Sequence, residues 1–145
     1  MNLNELLEKA ILLAVKNHAG QIDRFGAPYI LHPLRVMISG NCMETKIVGV
    51  LHDLLEDTAV TAEMLLEQGF PPDIVTAVVA LTKQKNEHYE AFVERTLQNP
   101  LARKVKLNDL YDNLNLLRLK ELNETDLARL NRYLKAIQKI QQLEN

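Results

Sequence analysis

The stretch VLHDLLEDTAV, residues 50–60, decides how this chain is read. Four groups that bind protons or metals, His52, Asp53, Glu56 and Asp57, stand in a run of leucine and valine. Apolar runs usually exclude such residues, because an unpaired buried charge is costly. Positions i, i+3 and i+4 share a helix face, so a helix running from near Glu44 to about Leu55 lets His52, Asp53 and Glu56 converge. Two readings stay open on this stretch alone. Either it is an acidic helix end, with Glu56 and Asp57 solvated and His52 packed, or a metal ion draws the groups together.

Outward from this segment the pattern is helical in both directions. Leu3, Leu6, Leu7, Ala10, Ile11, Ala14 and Val15 recur with a period of about 3.6 residues, and Gly20 stands just beyond as a stop signal. DRFGAPY reads as a loop, because Gly26 and Pro28 interrupt helix. A short helix is expected from Pro33 to about Ser39. Thr61 is a plausible N-cap for a helix that stops at Gly69. Pro71 and Pro72 open DIVTAVVALT, which is rich in β-branched residues but has the length and neighbours of a helix. EHYEAFVERTLQN places Tyr89, Phe92, Val93 and Leu97 on one side. Pro100 starts a helix over LARKVKLNDLYDNLNLLRL, and the last helix sets Leu127, Leu130, Leu134, Ile137 and Ile140 on one stripe. No strand alternation, internal repeat or linker is evident. The expectation is one all-α domain, residues 1–145, of about six to eight helices.

Composition narrows the function classes. Of 145 residues, 25% are charged and 47% hydrophobic, an ordinary soluble balance, and the net charge of −2 points to neither nucleic acid nor membrane. No apolar segment approaches the roughly 20 residues of a membrane span. Met1 leads directly into NLNELLEK, so no signal peptide is expected. Cys42, the single cysteine, cannot form an internal disulfide, which fits the cytoplasm.

Two ligands rarely hold a catalytic ion, so a metal reading needs more donors. His32, in PYILHPLRV, precedes Pro33, and Asp109, in VKLNDLYDNL, is a carboxylate among core-type residues. Asp112 lies at i+3 from Asp109 and Asn113 at i+4, so spacing does not say which acid is the ligand. Alone, His32 reads as a capping or surface histidine. His18 and His88 have no comparable partners and read as surface or structural.

The order His32, His52-Asp53, Asp109 in a helical chain resembles the HD superfamily of metal-dependent phosphohydrolases. More narrowly, GAPYILHP, LHDLLEDT, ALTK and VKLNDLYDNL resemble the hydrolase domain of RelA/SpoT proteins and small stand-alone alarmone hydrolases, from about His18 to Tyr133. That resemblance implies removal of the 3′-pyrophosphate of (p)ppGpp, usually with Mn²⁺. It implies His32, His52, Asp53 and Asp109 as metal ligands, and Glu56 and Asp57 as the acidic pair that orients and activates water. Asn113 matches a residue on the ribose side, Tyr133 a nucleotide-contacting tyrosine, and Arg24 the second of two basic residues before the Gly-x-Pro-Tyr turn. Lys83 and Lys106 are further basic candidates, each also readable as a solvated lysine, and Tyr133 is equally readable as core.

Three positions depart from the family pattern. Asp23 replaces the first basic residue of the turn, Asn108 an alanine before the metal aspartate, and YDN a more basic stretch. These bear on the substrate and leave the metal set intact. The competing expectations are an HD hydrolase of another nucleotide or phosphoester, and a non-catalytic module that binds metal or nucleotide. At this length no synthetase or regulatory domain is expected. A small-molecule nucleotide is the expected partner, with apolar surface on the last helix suited to a homo-oligomer.

Overall fold

The computed structural model describes residues 1–144. It contains eight α-helices of six or more residues and a four-residue helical turn. The elements are α1 (Leu3–His18), α2 (Leu31–Ser39), α3 (Met43–Leu51), α4 (Leu54–Asp57), α5 (Ala62–Glu67), α6 (Pro72–Ala80), α7 (Tyr89–Leu97), α8 (Pro100–Asn113) and α9 (Glu124–Glu144). A 3₁₀ turn, Leu116–Arg118, precedes α9. Among the described residues the only β pairing is an isolated bridge between Ile22 and Pro28, and no helix is long and apolar enough to cross a membrane.

Local chemistry explains where the helices begin and end. The Asn2 side chain accepts from the Glu5 amide while the Glu5 carboxylate accepts from the Asn2 amide, a reciprocal cap that satisfies two orphan donors of α1. Thr61 caps α5 by accepting from the Met64 amide. The β-branched run of α6 is helical, opened by Pro71 and Pro72. Its Ile74, Val75, Ala77 and Val78 are buried.

α3 is the central element, buried on nearly all sides and packed against α1, α2, α6 and α8. Ala10 and Ala14 put small residues on the buried face of α1, and α3 packs there. On another side Gly49 admits α2. A Cβ there would lie 3.2 Å from the Met37 backbone. Gly49→Ala is expected to destabilise the fold by about 1–3 kcal/mol, read as a lower urea midpoint at unchanged m-value.

Two apolar cores result. The larger joins α1 to α6 with Ala102 and Val105 of α8. The smaller joins Val93 and Leu97 of α7, Leu110 of α8, and Ala136, Ile137 and Ile140 of α9. α8 belongs to both, so a residue between Val105 and Leu110 sits at the seam.

The structure corrects two expected boundaries and one expected buried face. The helix expected from near Glu44 to about Leu55 is interrupted: α3 ends at Leu51, His52 and Asp53 form a turn, and a separate α4 starts at Leu54. At Asp53 the backbone moves to φ −100°, ψ −1°, out of regular helix. α8 stops at Asn113 rather than running on to Leu119, because Asn115 turns its side chain to the Leu117 amide and starts the 3₁₀ turn. The apolar stripe of α9 is only half used, with Leu127 and Leu134 49% and 48% exposed. The first half of α9 instead buries Asp126 and turns Arg129, Leu130, Arg132 and Tyr133 to a cavity.

Candidate metal centre and active site

Three chain segments meet at one point. His32 lies in the first turn of α2, where Pro33 costs no helix hydrogen bond because the N–H it lacks has no intrahelical partner. His52 and Asp53 occupy the turn between α3 and α4, and Asp109 lies on α8 at the seam of the two cores. His32 Nε2 is 3.0 Å from Asp109 Oδ1 and 3.6 Å from Asp53 Oδ2. His52 Nε2 is 3.1 Å from Asp53 Oδ2 and 3.4 Å from Asp109 Oδ1. Two imidazole nitrogens and two carboxylate oxygens thus face one another, three of the four residues being buried.

The donor set fits a divalent cation. His52 is 2% exposed, and its Nδ1 lies 2.6 Å from the Gly49 carbonyl, which can only accept. Nδ1 therefore carries the proton and Nε2 is left with its lone pair turned inward. That Nε2 has no hydrogen-bond partner, since neither nearby carboxylate oxygen meets it in hydrogen-bonding geometry. A buried nitrogen without a partner is expensive unless something electropositive takes the lone pair. Each carboxylate is held from behind: the Tyr29 hydroxyl donates to Asp53, and Lys106 Nζ donates to Asp109 Oδ2 at 3.1 Å.

Without an ion, protons take its place. Burial lowers His32, but Asp109 and Asp112 outweigh it and raise the imidazole to about 9. His52 moves the same way against its own burial, through Asp53 and Asp109. Burial raises Asp109, but Lys106 and the two imidazoles outweigh it and hold the acid well below its ordinary value. For His32 the sign is that of a raised folded pKa: it stabilises the metal-free fold fully below its ordinary 6.5, and this is lost as pH rises through about 9. A metal must displace those protons. Ion binding near pH 7 is therefore expected to release protons and to weaken as pH falls, measured by calorimetry in buffers of different ionisation heat.

The acids after His52 part company. Glu56 lines the cavity beside the donor set, and its Oε1 accepts from the Lys83 amide at 2.8 Å. Asp57 is not among the cavity-lining residues. Burial, then the Asp53 and Glu56 charges, push its carboxyl up to about 6.

The donors open into a cavity of about 570 Å³, the size of a nucleotide pocket. Arg24, Lys83, Lys106, Asn113 and Tyr133 all line it. Lys106 is not a solvated lysine: it is buried, paired with Asp109 and 5.0 Å from the Phe92 ring centroid. Asn113 donates to Asp109 Oδ1 at 3.1 Å. Arg24 is anchored by the buried Asp126, which also accepts from Arg129 at 2.6 Å. Asp23 is occupied by its own turn, accepting from the Phe25 and Ala27 amides at 2.8 and 3.0 Å. Asn108 is half-buried away from the cavity. Asp112, which spacing left level with Asp109, binds the outer nitrogen of His32 at 2.7 Å. His18 is a buried structural residue, bonded through Nδ1 to Gln21 at 2.8 Å, and His88 is exposed before α7.

Sequence reasoning missed Tyr29, Arg35, Arg118, Asp126, Arg129 and Arg132. The first two carried a signal, standing three residues either side of His32. The tie between Arg24 and Asp126 carried none, since 102 residues separate them.

The chain resembles known proteins in both sequence and fold. A metazoan ortholog of SpoT, described as hydrolysing ppGpp and acting in starvation responses, matches with a TM-score of 0.75 over 93% of this chain and 84% of its own, at 21% identity. The chain carries the fold of an HD-type RelA/SpoT hydrolase domain. No protein-family model matches it. A guanosine-3′,5′-bis(diphosphate) 3′-pyrophosphohydrolase of Aquifex aeolicus is 33% identical over 125 residues, 78% of this chain. A GTP pyrophosphokinase of Myxococcus xanthus is 36% identical over 85 residues, 54% of the chain. This HD-type domain spans only 18% and 11% of those two relatives' lengths.

Proposed function

We propose that this HD-type domain, as one unit, is a metal-dependent pyrophosphohydrolase that removes the 3′-pyrophosphate of (p)ppGpp in the cytoplasm. The observation that carries the reading is the inward-facing ring of His32, His52, Asp53 and Asp109 beside Glu56, at the wall of a nucleotide-sized cavity. The names of the relatives supply the substrate. Some are named for making the alarmone and others for degrading it. The donor ring and its neighbouring acid favour hydrolysis, because both serve to prepare water and to polarise a phosphate.

His32, His52, Asp53 and Asp109 would hold the ion. Mn²⁺ suits this mixture of imidazole and carboxylate. When bound, the ion supplies Lewis acidity toward a phosphate oxygen and makes a nearby water more acidic. The chain's own residues do the rest. Glu56 is fixed through Oε1 on the Lys83 amide, leaving Oε2 to take the water's proton. Asp57, which does not itself line the cavity, is the second acid of the pair that the family resemblance assigns to orienting that water. Water oxygen bonds to the phosphorus attached to ribose O3′, the P–O3′ bond breaks, and O3′ receives a proton, leaving pyrophosphate and the nucleoside 5′-diphosphate from ppGpp or 5′-triphosphate from pppGpp. Arg24, Lys83 and Lys106 offset phosphate charge, while Asn113 and Tyr133 contact the ribose and base side.

The test is a Mn²⁺-supplemented screen of ppGpp, other nucleotides and simple phosphoesters, with products resolved. Pyrophosphate and GDP from ppGpp support the reading. Turnover confined to other phosphoesters removes the alarmone from it, and no turnover with metal bound leaves a binding module.

A further inference from the structure

We infer that Asp112, although not a ligand, makes His32 a ligand, and that Arg35 holds Asp112 to that task. The inference rests on the metal-centre reading above and concerns what the ion never touches. His32 has two nitrogens with separate partners: Nε2 faces Asp109 and Asp53, while Nδ1 lies 2.7 Å from Asp112 Oδ2. A carboxylate at Nδ1 keeps the proton there, which leaves the Nε2 lone pair free and makes it a better donor. Asp112 does not choose this orientation alone. Arg35 Nε donates to its Oδ1 at 2.7 Å and Arg35 Nη2 to its Oδ2 at 3.1 Å, a two-point grip that fixes the plane of the carboxylate.

The arrangement is an interlock between two helices. α2 contributes His32 and, one turn on, Arg35; α8 contributes Asp109 and, one turn on, Asp112. In each helix the first residue faces the donor ring and the second stands behind it. His32 is thereby gripped by both acids of α8, Asp109 at Nε2 and Asp112 at Nδ1. The other imidazole has no such partner: His52 Nδ1 rests on the Gly49 carbonyl, a neutral acceptor near the end of the adjoining α3. His32 is therefore the donor whose quality depends on a charged side chain brought in by tertiary packing. A simple interhelix salt bridge between Arg35 and Asp112 would explain their contact. It would not explain why Asp112 Oδ2 is shared with the imidazole.

The experiment measures Mn²⁺ affinity by chelator competition in wild type, Asp112→Asn, Asp112→Ala and Arg35→Gln, beside thermal melts of the metal-free proteins. Asp112→Ala is expected to weaken Mn²⁺ binding about 10- to 100-fold. Asp112→Asn, which keeps an acceptor but loses the charge, should fall between it and wild type, and Arg35→Gln should weaken binding less. The spectroscopic check is nitrogen-15 NMR of Zn²⁺-loaded protein with labelled histidine. In wild type His32 should show a protonated Nδ1 and a metal-bound Nε2, a pattern that Asp112→Ala loses or broadens. Asp112→Asn guards against a misfolded alanine variant. Wild-type protein that binds no ion brings down the metal centre and this inference together. Wild-type protein that binds, with Asp112→Ala and Asp112→Asn within about threefold of it and the His32 signals unchanged, overturns the inference alone.

Discussion

Glu56→Gln is expected to cut turnover of the 3′-diphosphate substrate by at least about a hundredfold while leaving metal content unchanged. The substitution is nearly isosteric. A glutamine oxygen can still accept from the Lys83 amide, as Oε1 does at 2.8 Å, so the segment after α6 keeps its anchor. The lost property is the negative charge on the oxygen that faces the cavity, hence the ability to accept a proton from water. Because Glu56 is outside the donor ring, ion binding should not follow activity down. Single-turnover rates together with metal analysis read both quantities. Unchanged turnover would remove Glu56 from the proton path, and loss of the ion would place it among the ligands.

Asp109→Ala should have the largest effect on the whole molecule. The carboxylate serves two kinds of partner, His32 and the cavity on one side and the buried Lys106 on the other. Its removal takes one donor from the ring and leaves an ammonium unpaired against the Phe92 and Tyr89 rings. Breaking such a pair from one side costs about 3–5 kcal/mol. The expected result is loss of measurable Mn²⁺ binding together with a clear fall in the unfolding midpoint. A double variant, Asp109→Ala with Lys106→Met, should recover part of the stability and none of the metal. If the double variant is no more stable than the single, the unpaired lysine is not what destabilises it.

The chain shows why some of this was legible in advance. Helix type was readable because periodicity, proline starts and glycine stops act locally, as Thr61, Pro72 and Gly69 do. Histidine and aspartate in an apolar setting raised the question of a metal, but the choice of His32, His52, Asp53 and Asp109 as candidate donors came from the family resemblance. Spacing alone did not separate Asp109 from Asp112. One turn of α8 carries both, and only the position of α2 sends one to Nε2 and the other to Nδ1. The break at His52–Asp53 was invisible for a related reason: no glycine or proline marks it. Leu127 and Leu134 misled because a leucine stripe reports what a helix can bury, and the cavity claims the first half of α9 for arginine and tyrosine.

The two cores divide labour along the chain. Every donor proposed for the ion comes from residues 32–109, on elements that help build the larger core. Part of the wall that meets the rest of a ligand comes from α9, tied across the fold by Arg24 and Asp126. Of the five residues proposed to meet substrate only Tyr133 lies on α9, so the proposed chemistry and one part of the proposed recognition are carried by different stretches of polypeptide. Substitutions in α9 are therefore expected to alter what that part of the cavity wall admits without disturbing the proposed donors, so the two properties can vary separately.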